Sequence, residues 1–125
     1  MGITPEEDQL GILEKIFQTA STAKILDFFI DHKDLDYSLG EIAKKTGLSV
    51  QTVIREIPHL ENLTLIISER KVGKSSMYRL NSKFKPLILL EEFTLEMSQI
   101  PSIIEFQKPS KIQSVIESAL IQENR

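Results

Sequence analysis

A chain of 125 residues, 41% of them hydrophobic and with a net charge of −3, can build one core of modest size. It contains no Cys, which excludes disulfides and thiolate metal sites and suits a reducing cytoplasm. The opening MGITPEEDQ is acidic, and the longest unbroken apolar run, residues 87–90, is far too short to span a bilayer; neither a signal peptide nor a membrane partner is expected.

At the start of the chain, Thr4 can cap a helix that has Pro5 in its first position and Glu7 closing a capping box. Leu10, Leu13, Ile16 and Phe17 give that helix an apolar stripe to about Gln18, weakened by Gly11. A second start at Ser21 or Thr22 opens a strongly apolar helix with Ile25, Leu26, Phe28, Phe29 and Ile30. Residues 31–36 read as a solvated connector, because their three Asp lack the spacing, the Gly and the closing Glu of a calcium loop.

Residues 39–60 read as two short helices joined by a tight turn. Ser38 caps the first, whose apolar stripe is Ile42 and Ala43. Gly47 ends it in the left-handed conformation, Leu48 plugs the turn, and Ser49 caps the second helix. Along that helix the spacing puts Val53, Ile54, Ile57 and Leu60 on the buried face and leaves Gln51, Thr52, Arg55, Glu56 and His59 on the other. Pro58 should kink or tighten the helix after Ile57, so the straight exposed surface ends near Arg55.

Residues 64–68 then read as a strand, residues 70–75 as a turn around Gly73, and residues 77–80 as the return strand. Gly73, Lys74 and Ser75 mimic the end of a phosphate-binding loop. Ser68 stands where the first Gly of that loop belongs, however, and a strand rather than a helix follows. From Ser82 to about Ser98, Phe84, Leu87, Ile88, Leu90, Phe93, Leu95 and Met97 are apolar around most of a helix, which implies cover on more than one side. Pro101 and Pro109 break the chain around Ile103, Ile104 and Phe106, and a last amphipathic helix fits residues 110–122.

Charge is segregated along the chain. Residues 40–85 hold nine Lys or Arg against four Glu, a balance of +5; the rest carries −8, which together gives the net −3. A basic region on an acidic body is the electrostatic footprint of a nucleic-acid-facing surface. Two helices around a Gly-containing turn can be a helix-turn-helix or an ordinary helical hairpin with a solvated outer face, and apolar spacing fits both.

The run E-I-A-K-K-T-G-L-S-x-x-T-V-x-R, Glu41 to Arg55, resembles the helix-turn-helix of winged-helix transcription regulators. It is similar to the MarR and ArsR groups and their archaeal relatives over about residues 17–80. The resemblance implies a mainly α fold with a small β-hairpin: a winged helix-turn-helix with extra N- and C-terminal helices. On this reading residues 1–98 form the winged-helix domain with a C-terminal dimerisation helix, and residues 99–125 a tail. The implied function is sequence-specific binding of double-stranded DNA by a cytoplasmic homodimer. Gln51, Thr52 and Arg55 would reach base edges, while Lys44, Lys45, Ser49, His59, Arg70, Lys71 and Lys74 would lie at the backbone. One departure is that relatives commonly carry Gly where this chain has Leu63 or Thr64.

No enzyme and no cofactor are expected. His32 and His59 have neither a Cys partner nor a helical His pair for zinc, and no Ser lies in a nucleophile elbow. The alternative is a winged-helix module that binds protein in a replication, transcription or secretion assembly. An acidic body and an apolar tail, which needs a second subunit or another protein to cover it, favour that alternative.

Overall fold

The computed structural model describes residues 9–107. In chain order these form α1 (Ile12–Ile16), α2 (Ala20–Asp31), α3 (Leu39–Thr46), α4 (Val50–Asn62), β1 (Ile66–Val72), β2 (Ser75–Leu80), α5 (Lys85–Met97) and α6 (Pro101–Gln107). The chain divides into two compact units between Leu87 and Ile88. The expected helix start at Thr4 and the amphipathic helix of residues 110–122 lie outside the described residues.

In the first unit, α2 packs against α3, α4 and β2, while α3 meets β2 and α4 meets β1. The core is filled by Ile25, Leu26 and Phe29 of α2, Ile42 and Ala43 of α3, Val53, Ile57 and Leu60 of α4, and Leu65, Ile66, Met77 and Leu80 around the hairpin. Several boundaries differ from the sequence reading. Gly11 is the N-cap of α1, its amide donating to Glu14 Oε1 at 2.9 Å, and Leu13 of the expected stripe is exposed. Thr19 caps α2 by accepting from the Thr22 amide at 3.3 Å, so Thr22 lies buried inside the helix rather than at its start. A hydroxyl three residues upstream of Thr22 can cap equally well, and Thr22 is engaged elsewhere.

The turn between α3 and α4 follows its local chemistry closely. Ser38 and Glu41 form a capping box at the start of α3. Gly47 sits at φ 78°, a left-handed conformation that costs glycine least. Thr46 turns its hydroxyl back to the Ile42 carbonyl at 2.7 Å and accepts from the Leu48 amide at 3.3 Å, which closes the turn. Leu48 is half-buried rather than a fully buried plug. Ser49 caps α4 through the Thr52 amide at 3.1 Å. That helix runs on through the exposed Pro58 to Asn62, so the amide bond that Pro58 cannot make does not end the helix.

After α4, Thr64 adopts φ 66°. This is the position at which Gly was missing from the pattern, and a β-branched residue there is strained. The Thr64 carbonyl is nevertheless clipped by Asn81 Nδ2 at 2.9 Å, and the Leu65 carbonyl by the Asn81 amide at 2.9 Å. We expect Thr64→Gly to raise stability by about 0.5–1 kcal/mol, the left-handed strain relieved less the extra freedom glycine gains when unfolded. A denaturant melt with an unmoved or lower midpoint would show that the strain is compensated by neighbours.

The hairpin is longer and tighter than expected. β1 and β2 pair antiparallel from Ile66↔Leu80 to Val72↔Ser75, with a bulge between Ser68 and Arg70, and Gly73 and Lys74 alone form the turn. A two-residue turn needs positive φ, and Gly73 supplies it at 62°. Tyr37 adds a bridge on the other side of β2, with reciprocal 2.8 Å bonds to Tyr78.

Helix α5 begins later than expected, at Lys85; its part in the second unit leaves Leu89, Phe93 and Leu95 exposed in a groove with Glu92 and Glu96. Pro101 opens α6 instead of merely breaking the chain, because proline is at home in a first helical position. Among the described residues no helix is long and apolar enough to cross a membrane.

Candidate nucleic-acid interface

The outer face of α4 carries most of the residues proposed to read bases. Gln51 and Arg55 are exposed, and the Arg55 side chain is 63% accessible. Thr52 is half-buried, and its hydroxyl accepts from Ser49 Oγ at 2.9 Å, so the Ser49–Thr52 pair is occupied with building the helix start. Ile54 corrects the sequence reading: it is 51% exposed, as is much of Val50 one turn earlier. The buried stripe is Val53, Glu56, Ile57 and Leu60, spaced i, i+3, i+4 and i+7, and Ile54 falls outside its edge by about 60°. The helical period alone carried that signal; hydrophobicity misled, because the i+3 place holds a carboxylate. Chemically, Gln51 can serve adenine, Arg55 guanine, and the methyl groups of Val50 and Ile54 a thymine methyl.

Glu56, expected on the solvated face, is 3% exposed. Its carboxylate accepts from Thr22 Oγ1 at 2.7 Å, Thr19 Oγ1 at 3.1 Å and Arg55 Nε at 3.3 Å. Burial pushes the carboxyl up, but the donations from Thr22, Thr19 and Arg55 outweigh it and hold the group below its ordinary value. His59 also turns inward: the Ile16 carbonyl accepts from its Nε2 at 2.9 Å, which ties α4 to the segment before α2 and takes that nitrogen away from the backbone contact expected of it.

The basic residues divide into two groups. Lys44, Lys71 and Lys74 are exposed, with Lys74 at the hairpin tip. Arg70 and Lys71 lie within β1, not at the tip. Arg70 donates from Nε to Asp36 Oδ2 at 2.7 Å and from Nη2 to Asp36 Oδ1 at 3.0 Å, a bidentate pair that draws the Asp36 carboxyl below its ordinary value. Lys45 holds its ammonium 5.9 Å from the centre of the Tyr37 ring. Arg79 is bound to Glu69 at the bulge.

Comparison with known proteins bears on the fold. The HTH domain family matches residues 22–74, a span that holds most of α2, the helix pair and β1 with its turn. The antimony-specific transcriptional repressor AntR superposes with a TM-score of 0.55 at 14% identity, covering 79% of this chain and 95% of its own. The homodimeric winged helix-turn-helix DNA-binding domain of Mb0332 from Mycobacterium bovis, a possible ArsR-family transcriptional regulator, gives 0.55 at 19% identity, covering 78% and 89%. A double mutant of ZitR from Lactococcus lactis, in its apo form, gives 0.55 at 19% identity over 99% and 100% of the two chains. No curated protein matches at the level of sequence. Residues 22–74 thus match the HTH domain family, and this chain has the winged helix-turn-helix fold that these transcriptional regulators share.

Proposed function

We propose that the chain is a transcription regulator that binds double-stranded DNA sequence-specifically as a homodimer, with α4 in the major groove. The observation that carries this reading is the outer face of α4. Gln51, Ile54 and Arg55 stand exposed together on a helix whose opposite stripe is locked into the core. Lys44, Lys71 and Lys74 flank that ridge as phosphate contacts, and Lys45 supports them from above Tyr37. Arg70 is assigned to bracing the hairpin, and Ser49 and His59 to holding α4. The homodimer reading rests on the exposed Leu89, Phe93 and Leu95 of α5. Binding to a duplex selected from a random pool, compared with unselected duplex across a salt titration, tests the function. Equal affinity for both would leave only a non-specific binder or a protein-binding module.

The hairpin contributes its own expectation. If Lys71 and Lys74 neutralise phosphates, changing both to Ala should weaken binding to all sequences alike. The slope of log affinity against log salt should fall by roughly one unit for each phosphate no longer neutralised. An unchanged slope would mean that the hairpin lies off the backbone.

A further inference from the structure

A carboxylate on the buried stripe of α4 needs a reason. Burying an ionised carboxylate is costly unless it is hydrogen-bonded, and a glutamine or an apolar residue would fill the same space. The two threonines satisfy Glu56 but do not require its charge. Thr19 and Thr22 belong to the first turn of α2, and Thr19 Oγ1 both accepts from the Thr22 amide and donates to Glu56 Oε2. Thr22 holds the other oxygen, Oε1. The carboxylate is therefore fixed at both ends to a neighbouring helix before Arg55 is considered. The group that benefits from the charge is Arg55, whose Nε points to Oε2 although adjacent helical residues do not ordinarily face each other.

The atom used matters. An arginine held through Nε keeps its two Nη groups for the outer fork, which matches the O6 and N7 acceptors of guanine. A long, exposed arginine otherwise gives up much of its rotamer freedom when it docks. Resting on the reading of α4 as the DNA-reading helix, we propose that Glu56 is a positioning residue: clamped by Thr19 and Thr22, its buried carboxylate orients the Arg55 guanidinium for bidentate reading of one guanine. Thr19 and Thr22 thereby link the start of α2 to base specificity.

The test uses Glu56→Gln, Arg55→Ala and the double variant of the full chain. Each is measured on a selected duplex, on the same duplex with the Arg55-dependent guanine changed to adenine, and on random duplex. Arg55→Ala should weaken binding to the selected duplex by roughly 5- to 150-fold and erase the preference for guanine. Glu56→Gln, which keeps size and a hydrogen-bonding oxygen, should lose about tenfold there and under about twofold on random duplex. In the Arg55→Ala background the same change should cost nothing. A Glu56→Gln loss that is equal on all duplexes, or that persists without Arg55, overturns the proposal and makes Glu56 purely structural. Wild-type protein that prefers no duplex overturns the regulator reading and this inference with it. Should Glu56→Gln fail to fold, the Arg55 Nε–H resonance of the DNA-free wild type decides: a slowly exchanging, shifted signal supports the tether, and a random-coil signal overturns it.

Discussion

Phe29→Ala should lower stability by about 3–5 kcal/mol, the usual cost of emptying a fully buried aromatic site. Phe29 is 0% exposed, lies in the last turn of α2, the helix that touches α3, α4 and β2, and packs edge-on against Phe28 at 5.2 Å and Tyr37 at 6.2 Å between ring centroids. The loss combines the transfer of the ring with a cavity that three surrounding elements cannot all close at once. Against a typical total of about 5–15 kcal/mol, this should unfold a large share of molecules near 37 °C. A urea melt monitored by circular dichroism measures it. A shift under about 1.5 kcal/mol would mean that the core collapses onto the gap and that α2 is not its centre. Phe29→Leu should cost much less, since it keeps most of the volume.

The second large effect concerns association. Phe93 is 61% exposed beside Leu89 and Leu95, so Phe93→Glu should barely alter the melting of the isolated chain. In the homodimer proposed above, a symmetric interface would bury that new charge on both subunits, at a cost of several kcal/mol with no partner to offset it. Light scattering at micromolar concentration should then report monomer where the wild type reports dimer. Affinity for a site with two half-sites should fall with it, because the second half-site would no longer be engaged intramolecularly. A variant that stays dimeric would move the interface away from this face of α5. A wild type that is itself monomeric would remove the homodimer from the reading altogether.

Much of this fold was legible because local chemistry and global packing agree in it. Ser38, Gly47 and Ser49 punctuate the helix pair where their side chains and backbone freedom demand, and each performs that role in the structure. Boundaries that depend on tertiary partners were harder. Thr22 looked like a cap because it is a hydroxyl residue at the edge of an apolar run, yet its hydroxyl serves Glu56, thirty-four residues away. Arg70 looked like a loop-tip cation because Gly73 and the serines beyond it suggested a wide turn; the bulge at Glu69 and the two-residue turn place it in β1, opposite Met77. On α4, Gln51 and Arg55 were read correctly as outward-facing, whereas Ile54 and Glu56 exchanged places. A residue-by-residue sense of polarity cannot see a buried carboxylate whose hydrogen-bond donors come from another helix.

The bridge between Tyr37 and Tyr78, together with the Asp36–Arg70 pair, fastens the middle of the hairpin to the segment that leads into α3. An isolated two-stranded hairpin is marginal in water and would have to be ordered each time it met a ligand. Here the ordering is already present in the unbound chain. Association therefore carries a smaller conformational-entropy penalty than a free hairpin would impose. Because the anchor precedes α3, the hairpin and the helix pair should also present themselves to a ligand as one preorganised surface rather than as two parts that dock in turn.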